Sequence, residues 1–148
     1  MDVLASQSGK EMNTVRIAGV AKELPPYHRD TKDILPLVEL WLSGQEDRYR
    51  RKVLKIFESA GVDRRYGIMN AEEVFTATSF ADKNAIYARE VKKLGEAVLQ
   101  KALHKKAWEA KSLDYIITVS CTGIMIPSLD AYLINALGLR QDVVRLPV

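Results

Sequence analysis

The residues best suited to chemistry sit in one short stretch, Val119-Ser120-Cys121-Thr122-Gly123-Ile124-Met125-Ile126-Pro127, which holds the only cysteine of the chain. Three readings of Cys121 compete. Free cysteines are commonly small buried apolar residues. A nucleophilic cysteine needs a neighbouring base or a helix N-terminus to hold its thiolate. A third possibility is a side chain that lines a pocket without making or breaking bonds. Neither histidine is close: His28 and His104 are distant in sequence and read as surface residues. No spacing of His, Cys, Asp and Glu suggests a metal site. A second charged feature is a basic helix face carrying Arg48, Arg50, Arg51, Lys52 and Lys55. Most charge runs of this kind are solvated faces.

These residues need elements to position them. Cys121 follows "DYIITV", a continuous apolar run of the kind found in strands buried on both faces of a parallel sheet. Pro127-Ser128 opens a helix, "SLDAYLINALG", which Gly138 closes. "DVVRLPV" reads as the next strand. Upstream, Thr14–Pro25 alternates over Val15, Ile17 and Val20 and reads as a first strand. Asp30 or Thr31 caps a helix with Ile34, Leu37, Val38, Trp41 and Leu42 inward and Pro36 near its first turn. Ser43 and Glu46 have capping-box spacing and open a second helix. Its inward residues are Tyr49, Val53, Ile56 and Phe57, and Gly61 ends it. "VDRRYGIM" is irregular or a short strand. Asn70 caps a short helix. Ser79 starts the longest one, expected to reach about Lys111 with Tyr87, Val91, Leu94, Val98 and Ala102 as its apolar stripe. This order argues α/β with a largely parallel central sheet flanked by helices. Ligand sites in such sheets lie at the carboxyl ends of strands, where Cys121 falls.

The composition is that of an ordinary globular chain: 148 residues, 47% apolar and 28% charged. A net charge of +3 is too small to indicate nucleic acid. No apolar run approaches the ~20 residues of a membrane span. A single cysteine fits a reducing, cytoplasmic location. Residues 1–13 read as a disordered lead-in.

The stretch "VSCTGIMIPSLDAYLINALGLRQDVVRLPV" resembles the middle of the type III polyketide synthases, the chalcone and stilbene synthase family, and its bacterial branch most. "VDRRYGIM" and "VRIAGVAKELPPY" fit the same family. The resemblance implies the N-terminal part of a thiolase-like fold over 14–148, ending ahead of the motif that carries the family's nucleophilic cysteine. It therefore places the catalytic cysteine, histidine and asparagine beyond Val148. It also makes Cys121 a residue of the acyl-cavity wall, with Thr122 beside it. Gly123 permits the turn. Ile126 matches the loop position that reaches across the dimer interface into the partner's cavity, and Met125 precedes it, which leaves open which of these two pocket side chains crosses. Counting back from Arg64-Arg65-Tyr66, Lys52, Lys55 and Ser59 match the family's coenzyme A contacts. The two lysines keep the basic pattern and Ser59 departs from it. The implied function is decarboxylative Claisen condensation of an acyl-CoA starter with malonyl-CoA. These thioesters are substrates, and no cofactor is tightly bound. The implied partner is a second copy, or a complementing C-terminal chain. A different outcome would be a non-catalytic truncated homologue that pairs with a full-length synthase.

Overall fold

The computed structural model describes residues 15–76 and 79–148. The lead-in expected over 1–13 and Thr14 lie outside them. In chain order the elements are β1 Tyr27–Asp30, α1 Thr31–Trp41, α2 Asp47–Ser59, β2 Arg64–Gly67, α3 Ala71–Val74, α4 Phe80–Lys106, a 3-10 turn Ala110–Ser112, β3 Tyr115–Thr118, α5 Leu129–Leu137 and β4 Val144–Pro147.

The first half packs around α1. Ile34, Val38 and Leu42 recur every four residues, so one helix face is apolar. They bury against Val53, Leu54 and Phe57 of α2 and against Phe75. Tyr49, Ile56 and Trp41, expected inward, are exposed instead. The buried stripe of α2 runs through the adjacent residues 53, 54 and 57, which turns Tyr49 and Ile56 outward. Trp41 sits at the rim, its ring centroid 5.7 Å from that of Phe75. The capping box at Ser43 does not form. Ser43 and Gln45 donate their backbone N–H groups to Leu40 and Leu42 (3.1 and 2.9 Å), closing α1, and α2 starts behind Glu46 without a side-chain cap. Pro36 lies further into α1 than its first turn. Its missing N–H deprives the carbonyl of Lys32, an exposed residue that water can reach.

Asp30 stands at the N-cap of α1, as expected, but its side chain makes no capping hydrogen bond. Its carboxylate accepts from Arg64 Nε at 3.1 Å, across the antiparallel pair β1–β2, where Asp30 faces Arg64 and Tyr27 faces Gly67. Gly61 leaves α2 at φ +62°, the left-handed conformation that glycine adopts without a Cβ clash.

The second half packs α5 between α4 and the parallel pair β3–β4. Ile116, Leu133, Leu139 and Val143 form its core, with Leu99 and Leu129 against them. Ser79 caps α4 with a reciprocal capping box to Asp82. The helix ends at Lys106, short of Lys111. Ala107 turns left-handed at φ 51°. Its N–H goes to His104 O (3.1 Å) and that of Trp108 to Leu103 O (3.0 Å), a Schellman closure built without glycine.

Two further expectations change. Val15–Pro25 is not a strand: it runs without strand partners, and Val15 is 98% exposed. It lies instead along the end of α4, where Glu23 pairs with Lys101 and Val20 O accepts from Lys105 at 3.3 Å. Alternation alone does not make a strand when no sheet edge is presented to it. The parallel arrangement is real, Tyr115 facing Val144 and Thr118 facing Pro147, but there is no single central sheet among the described residues. The described strands form two separate pairs. For the same reason β3 is buried on one face only: Ile116 is covered, while Tyr115, Ile117 and Val119 are exposed.

Candidate functional site

The turn after β3 carries four of the sequence-predicted site residues on one loop. Cys121 is exposed among the described residues. Thr122 is exposed beside it, Met125 is half-buried, and Ile126 is 92% exposed. The Ile126–Pro127 peptide is cis, and α5 starts just after Ser128.

The loop hangs on α4. Asn84 makes two bonds to the backbone of one residue: its Nδ2 donates to Ile124 O at 2.9 Å, and its Oδ1 accepts from Ile124 N at 2.8 Å. One turn further along α4, Tyr87 and Ser120 share a hydroxyl–hydroxyl hydrogen bond. The Tyr87 ring also lies flush on Gly123, where an added Cβ would clash with Cδ1 and Cγ. Gly123 is therefore small because of that ring. It is not among the residues with positive φ, so the turn itself does not demand glycine. Sequence reading placed Tyr87 in an apolar stripe and missed Asn84. Their spacing, three apart on a helix, puts them on one face, but nothing local connects them to a loop more than thirty positions away.

The helix that follows the loop is tied to β4. Asp130, in the first turn of α5, is fully buried. A carboxylate there is favoured by the helix N-terminus. Its Oδ2 lies 3.4 Å from Arg145 Nε of β4, an ion-pair approach whose angles do not make a hydrogen bond. Backbone bonds from Val148 N to Thr118 O (2.8 Å) and from Ser120 N to Val148 O (2.9 Å) carry the parallel ladder up to the loop.

Lys52 and Lys55 stand apart from this loop, on α2 in the first packing unit. Both are exposed on the side opposite the packed Val53–Phe57 stripe. Among the described residues no carboxylate lies within ion-pair distance of either, whereas Arg50 on the same helix is held by Asp47 at 2.9 Å. A cavity of about 270 Å³ opens between β1–β2 and the helices, lined by His28, Phe57, Arg65 and Phe75 among others. It contains none of the predicted site residues. Among the described residues no group of His, Cys, Asp and Glu is arranged to hold a metal ion. No described helix is long and apolar enough to cross a membrane.

A helix-packed parallel strand pair with a candidate site at the strand end defines an α/β protein. The chain matches the family model "Chalcone and stilbene synthases, N-terminal domain" over residues 38–148 and belongs to that family. The 1,3,6,8-tetrahydroxynaphthalene synthase of Streptomyces coelicolor is 39% identical over 64% of this chain and 25% of its own. The phloroglucinol synthase of Pseudomonas fluorescens is 30% identical over 83% of this chain and 35% of its own. The crystal structure of the Streptomyces coelicolor enzyme superposes with a TM-score of 0.78 at 31% identity, covering 86% of this chain and 36% of that one. The chain thus spans about a quarter to a third of the length of these relatives.

Proposed function

We propose that this chain is the N-terminal part of a type III polyketide synthase that extends an acyl-CoA starter with malonyl-CoA. In that reaction malonyl-CoA loses CO₂. The carbanion left at its α-carbon attacks the acyl thioester carbonyl, and the starter's thiolate leaves. The observation that carries this reading is the loop at the carboxyl end of β3, in a chain whose family match runs through it. In this reading Cys121 and Thr122 wall the acyl cavity and do not perform acylation. Ile126, 92% exposed, is the side chain that reaches a second copy, with the half-buried Met125 before it. Lys52 and Lys55 bind the phosphates of coenzyme A, supported by their shared exposed face and lack of a carboxylate partner among the described residues.

The test is charge reversal at both lysines in the intact protein. The KM for CoA thioesters is expected to rise about tenfold, with kcat little changed, because the contact is made equally in ground and transition states. Thioesters of N-acetylcysteamine lack the nucleotide phosphates and should be unaffected. An unchanged KM for CoA thioesters would remove the lysine assignment.

A further inference from the structure

We propose that Asn84 and Tyr87 of α4 are positioning residues that fix the Ser120–Ile124 segment and thereby set which acyl chains the Cys121–Thr122 wall accepts. This rests on the cavity reading above and adds residues that neither sequence motif nor basic patch pointed to.

The geometry is specific. Loops are normally tied by their own backbone turns or by water. Here a single amide side chain supplies both a donor and an acceptor to Ile124, whose side chain is exposed and so contributes little burial to hold the loop. Asparagine and glutamine are the side chains that present a carbonyl and an N–H₂ side by side, which this two-way contact needs. An aspartate of the same shape would keep the bond from Ile124 N and set two acceptors against each other at Ile124 O. Tyr87 adds two constraints at other points of the same segment: a hydroxyl bond to Ser120, and a ring face that admits only glycine at position 123. The anchored positions 120, 123 and 124 bracket Cys121 and Thr122. The two proposed wall residues are therefore held from both ends, while their own side chains stay exposed. A wall fixed in this way fills a defined part of the cavity. A loosened wall gives way to a longer chain.

The experiment uses the intact protein with malonyl-CoA and compares kcat/KM for a short and a long starter, hexanoyl-CoA and lauroyl-CoA. Asn84→Asp is expected to change the ratio of the two values about tenfold. Tyr87→Phe keeps the ring and removes one oxygen, so it is expected to fold. It and Ser120→Ala should each shift the ratio about two- to fivefold, and the double variant no further than either single one, since both delete the same bond. A merely structural role would lower both kcat/KM values together and leave the ratio unchanged. That outcome in Asn84→Asp and Tyr87→Phe overturns the proposal. Cys121→Trp separates the two levels of the claim. If it shifts the ratio while the α4 variants do not, the wall reading stands and the positioning role falls. If it too leaves the ratio unchanged, the wall reading fails and the positioning role with it.

Discussion

Cys121 lies on the loop between β3 and α5. Its type and place leave three roles open, and it stands exposed among the described residues. The choice between nucleophile and wall depends on which groups surround the thiol. The sequence names no nearby base, and the structure brings Tyr87 and Ser120 to the segment instead of a histidine. Gly123 was legible as important and misread as to cause, because a glycine required by a neighbouring ring looks the same in sequence as one required by a turn. Asp130 gave no signal at all. A carboxylate in a helix first turn normally reads as a solvated cap, yet this one is 0% exposed beside Arg145, which is 46% exposed. Removing the cation by Arg145→Met leaves a buried charge without its partner. The expected cost is about 2–3 kcal/mol in urea unfolding, below the range for a pair buried on both sides because Arg145 is half in water. Loss of less than half of that would mean the helix N-terminus alone holds the carboxylate.

At the scale of elements, helices were the legible part. The apolar face through Ile34, Val38 and Leu42 fixed α1, and Ser79 and Gly138 marked their helix ends. A boundary failed where a cap used an unexpected residue, as at Ala107, whereas α1 starts behind Asp30 as expected, with that carboxylate bonded to Arg64. Strands were harder, since alternation over Val15–Val20 predicts a strand only if an edge is there to receive it. The β3–β4 register has its own device. Arg140, just after α5, donates to both oxygens of Asp142 (2.9 and 3.2 Å) and to Asp114 at the foot of β3 (2.8 Å). Asp114 O in turn accepts from Val144 N at 3.0 Å. The hydrogen bond from Arg140 holds the Asp142 carboxyl below its ordinary range. A carboxyl whose folded value is lowered contributes stability above its unfolded value, and that contribution is lost as pH falls through the lowered one. Acid should therefore loosen this corner, and amide protection in Val144–Val148, taken relative to the intrinsic exchange rate at each pH, should fall at low pH. Asp142→Asn should flatten that dependence. An equally steep dependence in the variant would assign it to other carboxylates.

For the whole molecule, the two packing units are legible as an order of helices and strands, but their separateness is not. Nothing in the sequence states that β1–β2 and β3–β4 form independent pairs. Tyr115, Ile117, Val119, Val144, Leu146 and Val148 leave apolar surface exposed around the parallel pair, as a region that packs on further structure does. The family match and the 31%-identical crystal structure give that region its context, covering most of this chain and about a third of the relative. The most direct measurement is release of labelled CO₂ from malonyl-CoA carrying ¹⁴C in its free carboxyl, by the intact protein, with and without an acyl-CoA starter. Starter-dependent CO₂ release matched by free coenzyme A and an extended product is the expected result. Intact malonyl-CoA in the presence of every starter tried, with the protein folded, would contradict the reading of this chain as part of a condensing synthase.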